Sequence, residues 1–220
     1  MPSEPHDSRL PSGPQPAARR GFWKLYLLIA VCVAPVVASY LMYYVFPPSG
    51  RTNYGVLVEP QRPVPALAAT VQHLPQGPAA PDVPAADLQA QGLAAFKGKW
   101  ILLAIDGGAC ETACARKLFF MRQTHVSLGK ERERLVRVLL VTDATPLPDA
   151  VLAAQPGLTV LRIDPRELAA LFPVLPDTTL ADHLYLIDPL HNLMMRFPKD
   201  PDPTRTRKDL QKLMRASRVG

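Results

Sequence analysis

Followed residue by residue, the apolar positions divide this chain into three stretches of different character. Residues 25–46 run for 22 positions without a charge, enough for a helix to cross about 30 Å of hydrocarbon. Residues 48–84 show no sustained period beyond one short apolar run at 54–58, which fits a short strand. From residue 97 onward, short apolar runs alternate with segments of helical spacing. Strands are expected at 100–105 (WILLAI), 135–141 (LVRVLLV), 159–163, 183–188 and 193–197, the last two joined by a turn at 189–192. Helices are expected from Cys110 to about Leu128, near 148–154, at 166–172, and from Pro203 to about Ser217. Asp202-Pro203 makes a sound start for the last of these, a capping carboxylate followed by a first-turn proline. Residues 87–96 fit a short helix or a strand and loop equally well.

Strand and helix in alternation imply an α/β fold, a mixed central sheet with a parallel core, helices on both faces and a closing hairpin as its antiparallel edge. A dithiol at the mouth of the first helix, then a crossover, a hairpin and a terminal helix, is a thioredoxin-like order of elements. The expected organisation is a disordered cytoplasmic tail (1–21), one transmembrane anchor (22–46), a proline-rich spacer (47–87) and the thioredoxin-like domain (88–220).

Composition sharpens this division. The chain has 25 prolines in 220 residues, against a usual share of about 5%. Nine of them lie between Pro47 and Pro84, which excludes regular helix or central strand there and favours an extended tether. Arg19, Arg20 and Lys24 flank the near end of the apolar run, and Tyr40, Tyr43, Tyr44 and Phe46 crowd its far end. The positive-inside rule then places the N-terminus in the cytoplasm and the domain outside, on the periplasmic side of the inner membrane. A cleaved signal peptide is the competing reading, with small residues at 37–39 for a peptidase, but the apolar core is too long for it. The net charge of +6 is scattered, with no basic stripe interleaved with aromatics, and gives no nucleic-acid surface.

The candidate chemistry is Cys110 and Cys114, in the sequence GACETAC between the first strand and its helix. On a helix, residues four apart share a face, so both sulfurs can reach one metal ion or each other. A helix N-terminus also favours thiolate. Three uses stay open: a structural disulfide, a redox pair, or two soft ligands suited to Cu(I) or zinc. A structural bridge would close a very short loop and stabilise the fold little. Cys32, within the apolar span, reads as a lipid-facing or packing residue.

The stretch 98–143 around CETAC, together with DHLYLIDP at 182–189, resembles the Sco/SenC family of membrane-anchored cytochrome c oxidase assembly proteins. That family's pattern is two cysteines separated by three residues and a distant histidine ahead of a strand; Cys110, Cys114 and His183 fall on those positions. The resemblance implies copper, Cu(I) or Cu(II), held by two sulfurs and one imidazole. It also implies delivery of copper or electrons to the binuclear copper site of oxidase subunit II or another copper-site protein. Glu111 and Ala115 stand where the family usually has prolines, and 106–109 replaces an aromatic-rich loop. The alternative function is a periplasmic thiol-disulfide oxidoreductase without stable metal, with Cys110, nearer the helix start, attacking and Cys114 resolving.

Other candidates read as structural. His73, His125 and His191 are expected to be exposed. Adjacent strand residues point to opposite faces, so at most one of Met194 and Met195 faces any given site, and core packing suits the inward one. The run KERER at 130–134 reads as a solvated helix end or loop.

Overall fold

The computed structural model describes residues 22–45, 53–75 and 82–217, and the chain separates into two units divided after Arg51. The tail expected to be disordered at 1–21 lies outside the described residues. The first unit holds one helix, α1 (Phe22–Tyr44), whose 23 residues carry Pro35 in their interior and are exposed along their whole length. At 1.5 Å per residue it is about 35 Å long, and it is long and apolar enough to cross a membrane.

The second unit is built on one seven-stranded sheet. Its strands are β1 (Val56–Pro63), β2 (Thr70–His73), β3 (Trp100–Asp106), β4 (Leu135–Val141), β5 (Leu158–Arg162), β6 (Leu184–Ile187) and β7 (Asn192–Phe197). Their spatial order is β1-β7-β6-β3-β4-β5-β2. β3, β4 and β5 are parallel; every other pairing is antiparallel. The helices are α2 (Ala85–Gln91), α3 (Thr112–Ser127), α4 (Asp149–Ala153), α5 (Pro165–Leu171) and α6 (Pro203–Ala216). β3 and β4 are buried on both faces, which is why they read as continuous apolar runs.

Each face of the sheet carries its own core. Leu102, Ala104, Leu139, Leu184, Leu186 and Phe197 pack with Leu118 and Met121 of α3 and with Leu210 and Met214 of α6. Ile101, Leu103, Ile105, Leu140, Tyr185 and Ile187 pack with Leu88 of α2, with Leu93 and Phe96 of a 3-10 turn, and with Leu168 of α5. The stretch at 87–96 is therefore helical, α2 followed by the 3-10 turn Gly92–Phe96.

The expected spacer requires correction. Far from being a tether, the described part of 47–87 supplies both outer strands: β1 covers β7, β2 covers β5, and α2 begins within it. The hairpin β6–β7 is consequently interior to the sheet. Prolines are tolerated on outer strands because one side of such a strand needs no ladder donor, so Pro60 and Pro63 sit within β1. The segment ahead of β1 is held by a side chain from the far end of the chain: Asp209 of α6, itself buried, accepts the N–H groups of Tyr54 at 2.7 Å and Gly55 at 2.8 Å. A bulge at Met194 lets Leu193 face one core while Met195 faces the other.

Candidate functional site

The two cysteines meet, though not by sharing a helix face. α3 starts at Thr112, two residues later than expected, with Glu111 as a cap that makes no side-chain hydrogen bond. Cys110 precedes the helix with φ 41°, a left-handed backbone that a non-glycine residue adopts at a cost. Cys114 lies in the first turn. The left-handed turn brings the two Cα atoms to 5.0 Å, and the sulfurs are joined in a disulfide. Both cysteines are buried, Cys110 at 6% exposure and Cys114 at 2%.

The loop ahead of Cys110 is fastened to its surroundings. Asp106, at the end of β3, accepts the Gly107 N–H at 2.9 Å through Oδ1 and pairs through Oδ2 with Lys117 Nζ at 2.7 Å. Lys117, one turn beyond Cys114, also donates to the Ile105 carbonyl at 3.1 Å and to the Ala181 carbonyl. Asp143 accepts the Gly108 N–H at 3.0 Å, and the Cys110 N–H closes a turn on the Gly107 carbonyl at 3.2 Å. Backbone N–H donation, first from Gly108 and then from Thr145, holds the Asp143 carboxyl below the ordinary carboxylate range.

His183 sits elsewhere. Successive strand residues alternate faces: Leu184 belongs to the cysteines' core and Tyr185 to the other. His183 accordingly lies on the Tyr185 side, its ring 6.2 Å from the tyrosine ring. It is 1% exposed, and both nitrogens are engaged. Nδ1 is 3.0 Å from the Phe197 carbonyl, which only accepts, so Nδ1 carries the proton. Nε2, the lone-pair nitrogen of the neutral ring, is 2.9 Å from Thr178 Oγ1. Burial, more than any charge, lowers the His183 pKa and keeps the ring neutral.

The donor set implied for copper is thus not assembled here. The Cys110 and Cys114 sulfurs are bonded to each other, the His183 imidazole is turned to the other face, and among the described residues no group of three or more His, Cys, Asp or Glu side chains is placed to hold a metal.

The remaining candidates move inward relative to expectation. His191 is 6% exposed, in the β6–β7 turn. His125 is half-buried, with Nε2 at 3.0 Å from the carbonyls of both Arg132 and Leu135. His73 is half-buried within β2. All three were expected to be exposed; His73 is covered as part of an outer strand of the sheet, His125 lies near the end of α3 with its ring against the segment leading into β4, and His191 is tucked into the β6–β7 turn. Met195 is core and Met194 only partly buried. In the KERER run, Arg134 donates to the Met214 carbonyl at 2.9 Å and the Ser217 carbonyl at 3.0 Å, securing the end of α6. Asp143, Lys117 and Gly108 carried no motif. The available signal was positional: neighbouring parallel strands end side by side, so the residues after β3 and after β4 had to meet.

A sheet with this strand order and a dithiol at the mouth of the helix after its central strand defines the chain as a thioredoxin-fold protein behind one membrane-type helix. It belongs to the transmembrane-like, thioredoxin-like family: the family's C-terminal domain matches residues 100–217, and its transmembrane-like N-terminal domain matches residues 15–45. No curated protein matches the chain. Among solved structures it is similar to apo Sco1 of Thermus thermophilus, at 20% identity over 76% of this chain and 98% of that one, with a TM-score of 0.48. ScoI of Bradyrhizobium japonicum with copper bound is similar at 19% identity over 69% of this chain and 98% of that one, TM-score 0.46. The thioredoxin domain of a Bacteroides vulgatus thiol-disulfide oxidoreductase is similar at 13% identity over 68% of this chain and 95% of that one, TM-score 0.42.

Proposed function

We propose that this chain is a membrane-tethered thiol-disulfide exchange protein that reduces disulfides in a partner on the outer side of the membrane. The observation that carries the reading is the Cys110–Cys114 bridge, closed across the mouth of α3. In the reduced pair, the Cys110 thiolate attacks one sulfur of the partner's disulfide, forming a mixed disulfide and releasing the partner's first thiolate. The Cys114 thiolate then attacks Cys110 Sγ. The bridge forms, the partner's second thiolate leaves, and two electrons have passed to the partner. The first turn of α3 stabilises negative charge on sulfur through its unpaired N–H groups. An upstream dithiol donor returns the bridge to two thiols. Cys110 is the attacking sulfur because it lies outside the helix and is the less covered of the two.

The basic residues ahead of α1 support an outer, periplasmic domain. Oxidase subunit II, the partner implied by the resemblance in sequence, is the first candidate, and its cysteines or their copper are the two cargoes to separate. Copper carriage would require the bridge to be reduced and His183 to give up its bond to Thr178 and leave its face of the sheet.

Full-length protein carrying Cys32→Ala, purified in detergent and reduced, distinguishes the cargoes. In that background Cys114→Ser should trap a covalent partner through Cys110, whereas Cys110→Ser should trap none, and His183→Ala should exchange as the parent does. If Cys114→Ser traps nothing while the reduced parent retains one equivalent of Cu(I) that His183→Ala loses, exchange is the wrong reading and copper carriage the right one.

A further inference from the structure

A sulfur arriving from a partner cannot reach the bridge as it stands, because both cysteines are nearly covered. Resting on the exchange reading above, this means that the loop 106–110 must give way before the bond opens. Lys117 and Thr142 secure Asp106, where the loop leaves β3; beyond that residue, the bonds of Gly107 to Asp106 and of Cys110 to Gly107 are internal to the loop. The bond from the Gly108 N–H to Asp143 Oδ1 ties it to a different segment, the connection after β4. The same Oδ1 accepts the Thr145 N–H at 2.9 Å, so one oxygen organises both segments. Their approach is close enough that a Cβ on Gly108 would overlap the Thr145 carbonyl oxygen. Asp143 is also within a partner's reach: it is exposed and borders an open cavity of about 480 Å³ shared with Thr142, Ala144 and Arg162.

We propose that Asp143 is the positioning residue that latches the redox loop, its carboxylate pinning Gly108 to the β4–α4 connection and so setting how readily the Cys110–Cys114 bond is opened. It does not touch the reacting sulfurs. It acts through Gly108 on the left-handed backbone of Cys110, which the latch helps to hold.

The test is the rate at which excess dithiothreitol reduces the bridge in full-length Cys32→Ala protein, followed by thiol alkylation, with the pair's redox potential measured alongside. Asp143→Ala should reduce roughly fivefold faster or more, the effect of losing one ordinary hydrogen bond. Asp143→Asn, which keeps an acceptor oxygen, should fall between Asp143→Ala and the parent. Gly108→Ala, which forces the loop off Thr145, should also be fast. Asp202→Ala removes a helix cap remote from the loop and should leave the rate unchanged. A rate for Asp143→Ala within twofold of the parent, or equal acceleration by Asp202→Ala, would overturn the latch. A parent bridge that dithiothreitol fails to reduce at all would instead count against the exchange reading.

Discussion

Single residues decide whether the cysteine site exists in this form. Gly108 has no room for a side chain, and its N–H is committed to Asp143. Gly108→Ala should cost about 1–3 kcal/mol, as overpacking against backbone generally does, seen as a lower urea midpoint with unchanged m-value. Asp209 is the second such residue. Its buried carboxylate holds two backbone N–H groups ahead of β1, and hydrogen bonds to charged groups contribute about 1.5–3 kcal/mol each. Asp209→Ala should therefore destabilise the domain by about 3 kcal/mol or more in urea unfolding, and Asp209→Asn by less. Asp202 caps α6 by accepting the Arg205 N–H at 2.7 Å; its loss should cost about 1 kcal/mol.

Among the elements, the outer strands are the least legible in sequence: the pattern offers a short strand at 54–58 where β1 runs Val56–Pro63, and nothing at β2. β1 is a proline-bearing segment whose register breaks between Leu57 and Arg62, and β2 is four residues long with a shift of its own. Neither shows a sustained alternation, because β1 is interrupted by its prolines and register break and β2 is too short to display a period. Their role is to cover edges: without β1, the ladder groups of β7 that face it would be open to pairing with another chain. Deleting residues 53–63 should produce protein that elutes as aggregate in size-exclusion chromatography, whereas a true tether could be shortened without that effect. The central elements were readable for the converse reason. β3 and β4 are buried on both faces and α6 is amphipathic with a proper cap, so local pattern and tertiary environment agree.

Across the whole domain, burial leaves its mark on proton binding. The pKa values of His125, His183 and His191 are all lowered, each chiefly by removal from water. A histidine with a depressed native pKa contributes stability above its unfolded value of about 6.5; below it the unfolded chain binds more protons, and that stability is lost as pH falls through the native pKa. Thermal stability should accordingly be flat from pH 8 to 7 and decline as the pH falls below about 6.5. His191→Gln should flatten the decline, because neither ring nitrogen of His191 has a hydrogen-bond partner to lose. Asp182 works in the opposite range: its carboxyl is held far below the usual carboxylate value, first by Lys199, so its contribution fades only in stronger acid.

Periodicity alone was enough to specify an apolar helix near the start, a strand-helix alternation after residue 97, and a cysteine pair between the first such strand and its helix, because those features arise from neighbours along the chain. Which strands close the sheet, which face His183 occupies, and which carboxylate grips the redox loop depend on contacts between residues remote in sequence. His183 and Cys114 are 69 positions apart, and nothing local fixes whether a bulge, an extra strand or a loop length will turn one toward the other. Packing settled it: alternation across β6 put the imidazole beside Tyr185, and the left-handed turn at Cys110 closed the sulfurs on each other.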